Sequence, residues 1–228
     1  ACDPSQMRDF LAYNIMRTAG VKAPRVAHAR VSINGQYWGF YNMREKVNEH
    51  FLASRHNLDP DEIDLLEFGG DAVHGSNQDY VELINFVETN NLTNDNNYAF
   101  VAEQMDIDNF ITYLVAQIFF DNQDWPGNNI KFWKPKGGKW KWILFDTDFG
   151  FGIWNEFAYQ NNTIAFALES DGPGWPNPPW STLLFRKLIQ NTTFRNALVN
   201  RFADEMNSRF LYDRIEQQID DNAARISS

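Results

Sequence analysis

The chain has 228 residues, 43% of them hydrophobic, which fits one large domain or two small lobes and a real core, hiding about 70% of the unfolded surface. Its 30 acidic side chains against 20 basic ones give a net charge of −10, which argues against DNA or RNA as a default partner because counterion release needs clustered Lys and Arg. The 19 Phe, 8 Trp and 8 Tyr exclude a solvated coil, the single Cys2 excludes an internal disulfide framework, and no apolar run approaches the ~18 residues of a membrane span.

The opening residues lack a basic segment followed by an apolar one, so no signal peptide is expected in this chain. The chain then reads as a helix, with Asp3 as N-cap, Pro4 at the first position, apolar spacing through Phe10, Leu11 and Ile15, and Gly20 as the stop. Two strands follow, Arg25 to Ile33 and Gln36 to Met43, joined by Asn34-Gly35, a dipeptide suited to a turn with two positive φ angles. A short helix is expected over about Val47 to Arg55. Irregular chain is expected over Asp64 to Ser76, where Gly69, Gly70 and Gly75 break any element. Next come a helix at about Asp79 to Glu88, an Asn-rich loop from Asn90 to Asn97, and a long apolar helix at about Ile107 to Phe120. A polar loop, Asp121 to Asn128, leads to strands at Asn129 to Lys134 and Lys139 to Phe145. Phe149 to Trp180 reads as ordered loop, and helices near Thr182 to Ile189, Thr193 to Arg209 and Asp213 to Arg225 finish the chain. The layout is α+β, with a small hairpin-bearing part ahead of a mainly helical part.

The chemistry concentrates in NQDWPGNNIKFWKPKGGKWKWILFDTDFGFG, residues 122 to 152. Asp124 and Asn129 stand five apart on the loop between an apolar helix and a hairpin. Asp146 emerges at the end of an apolar strand, and Asp148-Phe149-Gly150 is a literal D-F-G. Phosphoryl transfer uses such a set: one carboxylate orients the attacking hydroxyl, while an Asn and a second Asp hold Mg²⁺ on the nucleotide phosphates. Hard magnesium prefers these oxygen donors. Either motif alone is weak, and the blander roles are an Asx-turn for Asp124 and turn caps for Asp146 and Asp148. Two carboxylates two residues apart at a buried strand end are costly without a cation, which favours a metal for Asp146 most.

DPSQMRDFLAYNIMRTAGVKAPRVAHARVSINGQYWGFYNMRE, the Asp124–Asn129 loop, WILFDTDFGFG and LLFRKLIQNTTFRNALVNRFADEMN together resemble the CotH kinase family over nearly the whole chain. The resemblance implies an atypical protein-kinase-like fold in one domain spanning 1–228, with about 1–46 as a small-lobe remnant and about 47–228 as the larger lobe. It implies an atypical Ser/Thr protein kinase that uses ATP with Mg²⁺ or Mn²⁺ and acts on secreted, cell-surface or spore-coat-type proteins. Asp124 would be catalytic, Asn129, Asp146 and Asp148 would face the metal, and Glu45 would sit near the hinge as a nucleotide contact. The expected partners are a nucleotide and a protein substrate, with no nucleic acid and no membrane span; the expected location is secreted or cell surface. On that map the phosphate-anchoring Lys and the first strands belong upstream of Ala1. Neither Lys22 nor Lys46 has the strand context of that Lys, and Asp9, the only acid on the first helix, is a weak counterpart of its acidic partner. The alternative is a catalytically inactive member serving as an adhesion or structural module, with Trp154, Tyr159, Trp175 and Trp180 as surface aromatics. The lysines at 131, 134, 136, 139 and 141 read either as a solvated hairpin surface or as a strip facing phosphate or acidic substrate. Sequons at Asn91, Asn161 and Asn191 fit an exported protein.

Overall fold

The computed structural model describes residues 3–170 and 175–227; Cys2 lies outside them, as do residues 171–174 of the Gly/Pro/Trp-rich segment. The first helix, α1 (Arg8–Met16), starts later than the Asp3-Pro4 signal suggests. The left-handed Gln6 interrupts the backbone, and Asp3 instead accepts the amides of Ser5 and Arg8 at 2.9 Å. β1 (Val26–Ile33) and β2 (Gln36–Arg44) form the expected antiparallel hairpin. Its turn residues, Asn34 at φ 52° and Gly35 at φ 78°, both take the left-handed region that this turn requires. The hairpin is a sheet by itself, with Tyr37, Trp38 and Met43 exposed.

α2 (Glu49–His56) is capped by Asn48, whose side chain accepts from the Phe51 amide, and is closed by the left-handed Asn57. The segment expected to be irregular is instead a second hairpin, β3 (Ile63–Glu67) and β4 (Asp71–His74). Gly69 and Gly70 turn the chain between strands rather than dissolving them. β3 then pairs with β5 (Lys131–Pro135), and β5 with β6 (Lys141–Ile143), giving an antiparallel sheet in the order β4-β3-β5-β6. β3 lacks alternation because both its faces are covered. Ile63 and Leu65 join Trp133, Ile143 and Leu52 under α2, while Leu66, Phe132 and Trp142 belong to the main core.

The helical part adds α3 (Gln78–Thr89), α4 (Asp95–Gln104) and α5 (Ile107–Phe119). Most of α4 was not expected. Its N-cap, Asn94, accepts from the Asn96 amide, so part of the Asn-rich stretch starts a helix instead of extending the loop. α6 (Thr163–Leu168) and a 3₁₀ turn at Ala158–Gln160 likewise interrupt the expected long loop. α7 (Leu183–Leu188), α8 (Thr192–Met206) and α9 (Tyr212–Ser227) complete the chain. Among the described residues no helix is long and apolar enough to cross a membrane.

α5 carries the site. It is buried on nearly every side from Asn109 to Ile118. Asn109 clamps it to β6, accepting the Trp142 amide at 2.6 Å and donating to the Trp142 carbonyl at 3.2 Å. The loop leaving α5 and the segment leaving β6 therefore start from one fixed junction.

Candidate active site

Asn122 shapes the loop after α5. Buried, it donates to Gln117 at 2.8 Å and accepts the Asp124 amide at 3.2 Å. The Asp124 carboxylate accepts from Asn128 at 2.9 Å and from Asn129 at 2.6 Å, so two amides fix its orientation. The Asn129 amide also reaches the Asp146 carbonyl at 3.4 Å, joining the two candidate segments across seventeen positions. Asn129 and Asp146 both hold left-handed backbone, φ 54° and 53°, a conformation that Asn and Asp tolerate best and that recurs at functional sites. Backbone bonds tie the segments again, from the Gln123 amide to the Phe149 carbonyl at 3.2 Å and from Phe151 to Phe120 at 2.7 Å.

α1 and the hairpin close the site from the other side. Arg44, at the end of β2, pairs with Asp9 of α1 and, at 2.7 Å, with Asp146. Asp9 also accepts the Thr147 amide at 2.5 Å and its hydroxyl at 3.0 Å, while the Asp146 amide donates to the Tyr13 hydroxyl at 2.6 Å. Asp9, treated from sequence as a weak partner for an absent lysine, thus has a cation, and it is Arg44. Sequence reasoning missed Arg44, Tyr13 and Thr147. The available signal was a lone Arg ending an alternating strand beside Glu45, on a chain whose first helix carries one acid.

The acids here are electrostatically strained. Burial pushes the Asp124 carboxyl up, with the Asp146 charge adding to it and the Asn128 hydrogen bond opposing. Burial, and then the charges of Asp9 and Asp146, push Asp148 up to about 6. Asp9 is raised as well, because burial outweighs the pull of Arg44. Burial is the first cause of each shift, and the neighbouring carboxylates add to it.

Of the residues singled out from sequence, the structure brings together Asp124, Asn129 and Asp146. Asp148 faces elsewhere, lining a cavity of about 290 Å³ with Asp3, Asp9 and Arg44. Glu45 and Asp146 line a different cavity of about 190 Å³ with Tyr13, Val47, Lys131 and Phe145. The Glu45 carboxylate itself is engaged by the Arg25 amide at 2.7 Å and by Arg55. Among the described residues no three His, Cys, Asp or Glu side chains gather into a metal cage. The cavity at Asp146 also carries Arg44, Lys46 and Lys131, so the hard oxygen donors that could hold Mg²⁺ or Mn²⁺ reduce to the Asp146 carboxylate and the Asn129 side-chain oxygen.

The lysines of the β5–β6 hairpin do not form a strip. Lys134 is buried against Asp79, Lys139 donates to the Ala102 carbonyl, Lys141 faces Asp106, and Lys131 lies 5.6 Å over the Phe145 ring in the cleft. Trp154, Tyr159, Trp175 and Trp180 are exposed, and Trp180 packs on Gly69. Of the sequons, Asn191 is buried as the α8 cap.

Fold and site define an α+β protein in which an Asp-Asn loop and a strand-end Asp meet beside a cleft backed by an Arg–Asp pair. The family model described as CotH kinase protein matches residues 1–228, and the chain belongs to the CotH family. It is similar to inner spore coat protein H of Bacillus subtilis (strain 168), with 24% identity over 239 residues. That match covers 95% of this chain and 63% of the relative, so the chain spans less than two thirds of the length of the curated relative it matches.

Proposed function

We propose that this chain is an atypical protein kinase domain that binds ATP with Mg²⁺ or Mn²⁺ and transfers phosphate to Ser or Thr hydroxyls of coat-type, secreted or surface proteins. The observation that carries this reading is the single Asn129 amide spanning the Asp124 carboxylate and the Asp146 carbonyl beside the 190 Å³ cavity. The kinase-like fold assignment belongs to the same reading: α1 would act as the helix that backs the nucleotide site, and the chain after β2 as the hinge. The family description and the spore-coat name of the relative support the proposed substrate class and location.

In this mechanism Asp124, held by Asn128 and Asn129, orients the acceptor hydroxyl and takes its proton; its raised pKa makes it a better base than an exposed carboxylate. Asp146 and the Asn129 side-chain oxygen would hold a divalent ion, with Asp148 adding negative charge behind them. When bound, that ion would supply charge neutralisation for the nucleotide phosphates. Arg44, anchored on Asp9, lines the same cleft and would supply a fixed cation there. Tyr13, Val47, Lys131 and Phe145 form walls that hold the nucleotide and exclude water.

Isothermal titration calorimetry of ATP with and without Mg²⁺ or Mn²⁺, on the wild type and on Asp146→Asn, tests the reading. Metal-dependent binding that is lost in the variant is expected, followed by phosphate incorporation that Asp124→Asn abolishes. Binding that ignores metal, or no binding, overturns it and favours a non-catalytic coat or adhesion module. One observation already supports that second reading: Arg44 occupies the Asp146 carboxylate at 2.7 Å, where a catalytically retired site would keep it.

A further inference from the structure

A third cavity, of about 390 Å³, shares Tyr13 and Pro24 with the cleft cavity. Its lining is basic: Arg17 from the end of α1, Lys22 and Arg25 from the connection to β1, Arg55 from α2 and Arg225 from α9. Among the described residues, no Asp or Glu lines it. Arg55 is paired with Glu45, but among the described residues no ion pair joins Arg17, Lys22 or Arg25 to a carboxylate. In a chain of net charge −10, interspersed charges are the default surface, and a concave cluster of cations from four segments runs against it. The field reaches inward as well. After burial, Lys22, Lys141 and Arg55 are what hold His56 toward its neutral form.

We propose that this cavity is a binding site for a phosphate group, distinct from the cleft at Asp124 and Asp146. Guanidinium forks match phosphate oxygens in pairs, and a Lys adds a point charge, so Arg17 and Arg25 with Lys22 around a concave surface suit a dianionic phosphomonoester or a pyrophosphate. Among the described residues no carboxylate lines this cavity, and Glu45, paired with Arg55 and accepting the Arg25 amide, stands at its edge. The inference does not depend on what the cleft does.

Calorimetric titration with sodium pyrophosphate, and separately with a phosphoserine peptide and its unphosphorylated form, tests it at low salt. Three proteins are compared: wild type, Arg17→Gln/Lys22→Gln/Arg25→Gln, and Asp146→Asn. Pyrophosphate is expected to bind the wild type and Asp146→Asn equally and the triple variant about 100-fold more weakly, as lost charge-assisted contacts dictate. If the phosphoserine peptide binds with the same loss and its unphosphorylated form does not, the phosphate comes from a modified side chain. If only pyrophosphate binds, the ligand is a free small anion. Unchanged affinity in the triple variant, loss in Asp146→Asn, or no binding up to about 1 mM overturns the proposal. All three residues are exposed, so an unaltered melting temperature is expected. Should the triple variant melt early, Lys22→Gln and Arg25→Gln singly, each about 5-fold weaker for pyrophosphate, decide the matter.

Discussion

Replacing Asp9 with Ala removes one of the two connections between α1 and the segment after β6, leaving the Tyr13 hydroxyl on the Asp146 amide. Asp9 is 5% exposed and accepts three hydrogen bonds, from the Thr147 amide, the Thr147 hydroxyl and Arg44. Each bond to a charged acceptor contributes about 1.5–3 kcal/mol, and the Thr147 amide would be left buried without a partner. Two effects offset the loss. Arg44 keeps Asp146, and removal of a buried carboxylate relieves repulsion with Asp146 and Asp148. The net cost should be about 3–4 kcal/mol, lowering the melting temperature of a domain this size by about 6–16 °C. Asp9→Asn keeps an oxygen for Thr147 but turns an amide toward Arg44, and should cost about 1–2 kcal/mol. Urea denaturation with an unchanged m-value gives both numbers. A cost below about 1 kcal/mol for Asp9→Ala would refute the claim that this carboxylate holds the two parts together.

Asp148 titrates near 6 in the folded chain against a reference of 3.8, so the folded state binds its proton more tightly. Its ionisation therefore costs stability that is absent below the reference value and grows as pH rises through about 6. Melting curves in chelator should show Asp148→Asn more stable than wild type above that pH and indistinguishable from it at acid pH. Gly127 sits where an added Cβ would meet the Pro176 carbonyl and lie 2.6 Å from Pro178 Cδ. Gly127→Ala should thus cost about 1–3 kcal/mol by denaturation and displace the Asp124 loop, which on the proposed kinase reading would reduce phosphate transfer more than nucleotide binding. Asn191, 1% exposed, caps α8 and donates to the Leu92 carbonyl at 3.0 Å. Asn191→Ala should cost about 2 kcal/mol by denaturation, and mass spectrometry after secretory expression should find no glycan there. Leu65→Ala, at a fully buried position beside Trp133, should cost about 2–5 kcal/mol in the same assay.

The sequence made local features legible and obscured those that depend on long-range pairing. Asn34-Gly35 announces its hairpin because the turn geometry is written in the dipeptide itself. The long helix before the Asp124 loop is legible because ten consecutive buried positions leave a dense apolar run. β3 and β4 were not, since Ile63–Glu67 becomes a strand through its partner β5, almost seventy residues away, and glycines that turn a hairpin look locally like glycines that end structure. α4 was hidden by asparagines, which favour loops in isolation but serve as caps once a helix follows. The candidate site divides along the same line. Asp124, Asn129 and Asp146 share a local motif, whereas Arg44 and Asp9 lie 102 and 137 positions from Asp146 and meet it only through the fold.

That long-range half of the site gives the local half its electrostatic character. Asp9, Asp124, Asp146 and Asp148 place four carboxylates near the guanidinium of Arg44, and burial first, then their mutual repulsion, pushes three of them up. On the neighbouring cavity the imbalance has the opposite sign, with Arg17, Lys22 and Arg25 uncompensated by lining acids. Tyr13 lines both spaces. Burial, and then the charge of Asp9, push its phenol well above the ordinary value, so it adds charge to neither side while its hydroxyl accepts the Asp146 amide. One neutral side chain on α1 thus borders both the cleft that holds Asp146 and the cavity lined by Arg17, Lys22 and Arg25. Asp9 and Tyr13, both on α1, bond to the segment that carries Asp146 and so fix the wall between the two spaces.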